Sequence, residues 1–452
     1  MFRWLLPISL LLVAPPLAAQ ENVAGQYRAA SDRIIAAALA DSAAYARLAE
    51  LTDRFGHRFS GSDALEHALD WILAEMREDE LANVRGEPVL VPAWVRGEES
   101  AELVAPRAQR LPMLGLGGSV ATPADGITAD VLVVGSFDEL TARAAEARGK
   151  VVLFDVPFTT YGETVRYRTD GAVAAARAGA VASLIRSVTP NSQRTPHTGM
   201  MRYSDSVARI PHAALTVEDA MMLHRMQDRG ERIVVRLRMS ARELPDRESR
   251  NVVGELVGRE RPDEVVVLGG HSDSWDVGQG AMDDAGGVVA AWQALLILKR
   301  LGLTPRRTIR VVGWTNEENG LRGGTAYRDA HREALGRHVL AIESDAGVFA
   351  PQGFGFTGSD AGFAIVQQVG TLLEGIGAGR ITRGGGGADI GPIMREGVPG
   401  MGLDVDETRY FWYHHTDGDT MDKLDPREMN LCVAALAVMA YVVADWPEAL
   451  PR

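Results

Sequence analysis

Residues 269–287, GGHSDSWDVGQGAMDDAGG, set one histidine and four aspartates (Asp273, Asp276, Asp283, Asp284) between two glycine pairs, directly after the apolar run EVVVL. Further along stand Glu317 and Glu318 in WTNEENG, Asp345 in ESDAG, and His414 and His415 in YHHTDGDT. Each cluster alone reads equally well as a solvated turn. Together they offer imidazole nitrogen and carboxylate oxygen, which zinc takes at roughly 2.0–2.2 Å with a position left open for water at catalytic sites. A pair of ions ~3.5–4 Å apart needs a bridging carboxylate, and Asp283 or Asp284 can supply it from a tight turn. Adjacent Glu317 and Glu318 cannot both face one metal in regular structure. At a strand end, however, one can ligate while its neighbour serves the attacking water as general base. Asp273, two residues after His271, can orient that imidazole through its other nitrogen.

The elements that must position these residues are strands alternating with helices. From Asn251 onward the chain reads NVVGELVG and EVVVLGG as strands, GGVVAAWQALLILKRLG as a helix, then TIRVVGWTN, a helix through TAYRDAHREAL, and HVLAIESD. This alternation predicts an α/β fold with a mostly parallel sheet covered by helices on both faces. Ligands of such sheets sit outside the carboxyl ends of the strands. Three of these strands end on His271 and Asp273, on Glu317 and Glu318, and on Asp345, so the acids converge on one edge. A metal is the counter-charge such convergence needs. Residues 111–244 carry a strand–helix alternation of their own (ADVLVVG, KVVLFDV, DGAVAAARAGA, VASLIRS), flanked by loops rich in Gly, Pro and charge.

The motifs GGHSDSWDVGQGAMDDAGG, WTNEENG, ESDAG and YHHTDGDT resemble those of the co-catalytic dizinc exopeptidases. LTDRFGHRFSGS, DWILAEM and GEPVLVPAWVRGEES extend the likeness through nearly all of the mature chain. The resemblance implies that His271 and Asp345 hold one zinc, that Glu318 and His415 hold the other, and that Asp283 bridges them. It also implies Glu317 as general base and Asp273 as the residue that orients His271. His415 is preferred to His414 because the family's histidine stands four residues before the aspartate of a DT pair, here Asp419. An inserted protease-associated-type domain is implied as well, matching residues 111–244 and walling the cleft without doing chemistry. The peptidase domain would then comprise residues 20–110 and 245–452.

Other features are weaker. Four consecutive glycines, Gly384 to Gly387, could pass close to a ligand or form a flexible loop. Arg383 could meet a substrate carboxylate or stay solvated, and Tyr410 and Tyr413 could stabilise an oxyanion or simply pack. Five histidines before His271 (His57, His67, His197, His212, His224) have no ligand spacing and receive no role.

Composition bounds the partners. The 452 residues are 46% hydrophobic and 24% charged, enough for two or three cores. A net charge of -13 argues against nucleic acid or an anionic membrane as partner. MFRW followed by LLPISLLLVAPPLA and LAAQ has the layout of a secretory signal peptide over residues 1–19, implying a periplasmic or secreted protein with no membrane contact after cleavage. The lone Cys432 permits no internal disulfide and lies in an apolar run, LCVAALAVMAYVV, that is short for a bilayer. The expected activity is hydrolysis of short unblocked peptides with two zinc ions per chain, of dipeptidase or carboxypeptidase type. An aminopeptidase or cyclase on the same fold, and a non-catalytic receptor-like relative, are the alternatives. A homodimer is implied by the resemblance alone.

Overall fold

The computed structural model describes residues 23–452, so the expected signal peptide lies outside the described residues. An eight-stranded mixed sheet runs in the order Ala82–Val95, Arg242–Leu256, Arg307–Trp314, Arg261–His271, His338–Glu343, Gly400–Val405, Pro351–Thr357 and Arg380–Arg383. Its centre is parallel: Arg261–His271 pairs with Arg307–Trp314 on one side and with His338–Glu343 on the other. Register places His271 opposite Trp314 and Gly269 opposite Glu343, which brings the three acidic strand ends to one edge.

Side chains alternate along these strands, as the pleat requires. Val266, Leu268, Ile309, Val311, Leu340 and Ile342 face a core shared with the helices Val23–Leu39, Ala43–Phe55, Asp63–Glu78, Gly286–Arg300 and Pro426–Asp445. Val265, Val267, Val312 and Ala341 face a smaller core that includes Tyr327, Leu335 and Ile393. Burial on both faces is why these strands read as near-continuous apolar runs. The helix that carries Cys432 spans 20 residues, Pro426–Asp445, so its length and composition would suffice to cross a membrane, contrary to the shorter run read from sequence. In this structure it is a core helix, with Pro426 in its first turn and Asp425 accepting the amides of Arg427 and Glu428 as its cap.

A second eight-stranded sheet is built from the middle of the chain. Its order is Gln109–Leu111, Glu99–Ala105, Val234–Met239, Ile127–Val134, Val151–Phe154, Ala182–Arg186, His212–Leu215 and Met113–Gly115. The strands of Ile127–Val134 through His212–Leu215 are parallel neighbours, with the helices Tyr161–Arg177 and Val217–Asp228 packed on them. The sheet begins at Glu99, earlier than the residue 111 expected from sequence, and its last strand ends at Met239. Glu99–Ala105 pairs antiparallel with Val234–Met239, so both ends of the unit close on each other. The long antiparallel ribbon of Ala82–Val95 and Arg242–Leu256 leads into and out of it.

The two units meet through a small apolar cluster of Phe59, Trp94, Leu114, Ala241, Trp275 and Val277. Trp275, in the loop after the His271 strand, lies against Gly117 so closely that a Cβ there would sit 2.1 Å from the indole ring. Gly117→Ala should therefore cost about 1–3 kcal/mol, the range for overpacking. Much of that loss should return when Trp275 is shortened to Leu in the same chain. Strictly additive losses in this double-mutant cycle, read by chemical denaturation, would show that the two residues do not couple.

Candidate metal centre and catalytic cleft

At the carboxyl edge of the central strands five side chains converge. His271 Nε2 lies 3.1 Å from Asp283 Oδ1 and 3.3 Å from Asp345 Oδ1. His415 Nε2 lies 3.1 Å from Glu318 Oε2 and 3.3 Å from Asp283 Oδ2. The two oxygens of Asp283 thus face different histidines, which separates it from its neighbour Asp284. Asp284 Oδ2 instead accepts the amide of His271 at 3.0 Å and Oδ1 that of Gly287 at 3.0 Å. A Cβ on Gly270 or Gly287 would fall 2.0 or 2.5 Å from that carboxylate, which explains the glycine pairs flanking the motif.

These donors fit a metal. Ligand atoms ~2.0–2.1 Å from a tetrahedral zinc stand ~3.3 Å from one another, close to the four separations above. Asp283 Oδ2 and Glu318 Oε1 are buried without a hydrogen-bond partner, a costly arrangement unless a cation meets them. Burial would push the His415 imidazole down, but Glu318 and Asp283 outweigh it and raise it to about 9. His271 is held well above its ordinary value against the same burial, chiefly by Asp345 and Asp283. Burial, and then Asp283, raises Glu318 to about 7. The cluster demands positive charge at its centre.

His414 competes with His415 for a place in this set, since donors of Asp283, His414 and His415 also lie within 4.8 Å of one another. His414 Nε2 is 3.7 Å from Asp283, its ring stacks on that of His415 with centroids 3.5 Å apart, and burial with the adjacent His415 charge drives it well below its ordinary value. His415 has the shorter carboxylate contacts, and its Nδ1 lies 3.3 Å from the Thr198 carbonyl and 3.4 Å from Arg168 Nη1. Its backbone is left-handed (φ 62°) and is held there by the Thr198 amide donating to its carbonyl at 3.0 Å. The Thr198 partner lies in the segment expected only to wall the cleft.

Asp273 acts differently from the expectation. His271 Nδ1 donates to the backbone carbonyl of Asp273 at 2.8 Å, whereas the carboxylate is 3.8 Å from that nitrogen. The carboxylate accepts the amides of Glu317 and Glu318 at 3.1 and 3.3 Å, which anchors the NEENG turn to the neighbouring strand end. Glu317 itself faces the cleft. Burial, with Asp345, Glu318 and Asp283 nearby, lifts its carboxyl well above the usual range.

The cleft encloses about 540 Å³, lined by Asp283, Glu318, Asp345 and His415 of the centre together with Tyr161, Arg168 and Met200 of the second unit and with Leu321, Glu407 and Phe411. Tyr410 lines it too, whereas Tyr413 lies under Lys423 at 5.6 Å. Arg383 is elsewhere, paired with Asp360 at 2.6 Å. The glycine run is packed: a Cβ on Gly385 would meet the Gly355 backbone at 2.5 Å, and one on Gly387 the Glu343 carboxyl at 2.0 Å.

The sequence profile of peptidase family M28 matches residues 251–440. Carboxypeptidase Q of Pongo abelii is 50% identical over 413 residues, 91% of this chain and 88% of that protein, and the Homo sapiens enzyme is 49% identical over the same shares. The chain belongs to peptidase family M28. A peptidase M28 precursor from Shewanella amazonensis superposes with a TM-score of 0.92 at 34% identity, covering 95% of this chain and 99% of that one. A zinc aminopeptidase from Bacillus subtilis shares the fold at a TM-score of 0.66 and 20% identity, over 90% of this chain and 98% of its own. Membership of this family makes the chain a peptidase, with peptides as its substrates.

Residues given no ligand or base role from sequence hold the centre of this M28 peptidase in place. Arg58 is fully buried, and its guanidinium donates to the carbonyls of Ser272, Gly56, Gln279 and Gly280 at 2.7–3.0 Å, gripping both ends of the loop between His271 and Asp283. Burial lowers its pKa to about 10 even though Asp419 and Asp273 oppose the shift. Asp419 accepts the amides of Ala281, Met282 and Asp283 at 2.7–3.2 Å, and burial raises its carboxyl to about 7. Arg58→Met, similar in bulk but without donors, leaves buried carbonyls unpaired. It should lose several kcal/mol of stability, each bond to a charged donor contributing about 1.5–3 kcal/mol. Zinc affinity should weaken at least tenfold by equilibrium titration, and wild-type affinity in this variant would remove Arg58 from the support of the site.

Proposed function

We propose that this M28 peptidase hydrolyses short peptides with a free carboxyl terminus, as a dipeptidase or carboxypeptidase, using two zinc ions. His271 and Asp345 would hold one ion, His415 and Glu318 the other, and Asp283 would touch both. The carrying observation is Asp283, whose two oxygens lie 3.1 and 3.3 Å from the imidazoles of two different histidines. When bound, zinc acidifies water and polarises a carbonyl.

The chain's own residues supply the rest. Glu317 takes a proton from the attacking water and returns it to the leaving amine. Its elevated carboxyl suits a group that must hold a proton between these events. Asp273 fixes Glu317 and Glu318 through their amides, so one turn presents a base and a ligand side by side.

Arg168 favours recognition of the carboxyl terminus. It lines the cleft, is nearly fully buried, and has no carboxylate partner among the described residues. Nη2 donates to the Tyr161 hydroxyl at 2.8 Å, Nη1 to the Thr198 carbonyl at 3.4 Å, and Nε has no partner. A guanidinium so placed suits a substrate carboxylate. Carboxypeptidase Q of Pongo abelii, which matches 91% of this chain, is consistent with this reading. Residues 111–244 belong to the proposal as a protease-associated-like insert. Export and a homodimer belong to it as well, resting on the N-terminal pattern and on the resemblance.

Alanyl-leucine tested free, N-acetylated and as the C-terminal amide tests the terminus. The amide should lose at least tenfold in kcat/KM, and equal cleavage of amide and acid would overturn the carboxyl-terminal reading. The paired glutamates test the roles. Glu317→Gln should keep two zinc ions by elemental analysis while kcat falls by about 10²–10⁴ or more. Glu318→Gln should lose zinc affinity along with activity, because a neutral amide is a poor zinc ligand. Zinc lost in the first variant and kept in the second would reverse the assignment.

A further inference from the structure

Arg96 stands where the chain passes from the long ribbon into the middle unit, beside the strand that returns from it. There the Ser240 amide donates to the Glu98 carbonyl at 3.0 Å and the Glu98 amide to the Ser240 hydroxyl at 2.7 Å, clasping the two connections together. The Arg96 side chain is buried, and its guanidinium reaches three separate segments. Nε donates to Asp276 Oδ2 at 2.9 Å and Nη2 to Asp276 Oδ1, a two-pronged ion pair with the loop between His271 and Asp283. Nη1 donates to the Gly115 carbonyl, and Nη2 also meets the Thr198 hydroxyl at 3.3 Å. That hydroxyl in turn donates to the Gly115 carbonyl at 2.8 Å. Thr198 touches His415 through its backbone, the amide donating to the His415 carbonyl at 3.0 Å and the carbonyl lying 3.3 Å from Nδ1. Asp276 has no other ion pair among the described residues.

We propose that Arg96 is a positioning residue for the second histidine of the metal centre. It fixes Thr198 to the ligand loop, and Thr198 sets where His415 stands relative to Asp283. This rests on the two-zinc reading above and adds an asymmetry between the two sites. His271 ends a strand that is paired on both sides, and Arg58, Asp284 and Asp419 hold the loop that leads on to Asp283. His415 instead stands in a turn after the short helix Tyr410–Tyr413, with a left-handed backbone. A two-pronged arginine–carboxylate pair fixes geometry as well as charge, so its loss loosens Thr198 and the turn that leans on it. The ion held by His415 and Glu318 then suffers more than the ion held by His271 and Asp345. An arginine that touches no ligand side chain thus sets the affinity of one site and spares the other.

The test titrates zinc into the metal-depleted full chain against a competing chelator, so that the two binding steps are resolved. The step belonging to His415 and Glu318 is the one that Glu318→Gln weakens. Arg96→Met should weaken that step by about 10–100-fold, the usual loss when a support of a metal ligand is removed, and leave the other within about threefold. Asp276→Asn, which keeps the shape of the pair but not its charge, should weaken the same step by a smaller factor. Thr198→Val keeps both backbone contacts with His415 and removes only the hydroxyl that Arg96 reaches. It too should weaken that step, and combined with Arg96→Met it should cost less than the product of the two separate factors. Where Arg96→Met does not fold, the Asp276 and Thr198 variants decide the matter. Equal weakening of both steps, or of neither, in variants of a wild type that binds two ions overturns the role of Arg96 alone. A double variant showing the full product overturns the path through Thr198. A wild type that binds a single zinc overturns the two-zinc reading and this inference with it.

Discussion

Everything at the carboxyl edge of the sheet depends on Asp283 standing between two imidazoles with an oxygen for each. Such an arrangement collects negative charge. Asp345, Glu317 and Glu318 all sit within electrostatic reach, and each has its carboxyl pushed up by burial and by its neighbours. Like-charged groups crowded in a low-dielectric pocket are expensive. On the proposed reading, bound zinc would return the solvation these groups lose. Stability and chemistry therefore share one electrostatic cause.

A second set of acids faces backbone amides and positions the first set. Asp284, Asp419 and Asp273 each spend both oxygens on backbone amides, at 2.7–3.3 Å, of the segments that carry ligands or base. Glu343 accepts the Ile390 amide at 2.9 Å, burial raises it to about 7, and beside it Asp389 is buried with neither oxygen partnered. Arg58 does the complementary work with carbonyls. Loops thus acquire the fixity of strands: amide and carbonyl groups that no ladder satisfies are satisfied by buried charge, which also resists movement.

The legibility of this site in sequence follows the same division. Ligand types and strand ends could be read because they recur at positions dictated by the sheet, and the apolar runs mark those strands. Asp283 and Asp284 were chemically identical neighbours, and only the fold turns one towards the histidines and the other back to its own amides. Asp273 was read as an imidazole partner because spacing suggests side-chain contact, while its backbone makes that bond. Arg58 lies in LTDRFGHRFSGS, a stretch that carried the family likeness, but its role was illegible, since an arginine that reads carbonyls looks like any surface arginine. The second sheet begins at Glu99 because ESAELVA pairs with a strand more than a hundred residues away, a partnership no local pattern reveals. The glycine run was ambiguous for a similar reason: whether Gly385 and Gly387 are free or pressed on neighbours depends on Gly355 and Glu343, which arrive from other strands.

The middle unit then takes on a larger part than that of a wall. Thr198 holds the His415 backbone from its amide and the imidazole from its carbonyl, while Arg168 and Tyr161 of the same unit line the cleft. A histidine in the left-handed region is costly by itself, and the Thr198 amide helps to hold it there. Docking in turn relies on Trp275, which belongs to the loop between His271 and Asp283 and whose ring lies 5.5 Å from that of His415. Ligand loop, indole, middle unit and second histidine form a closed circuit. Any ion that draws His415 and Asp283 together must favour the docked arrangement, and docking must favour the ion by the same free energy.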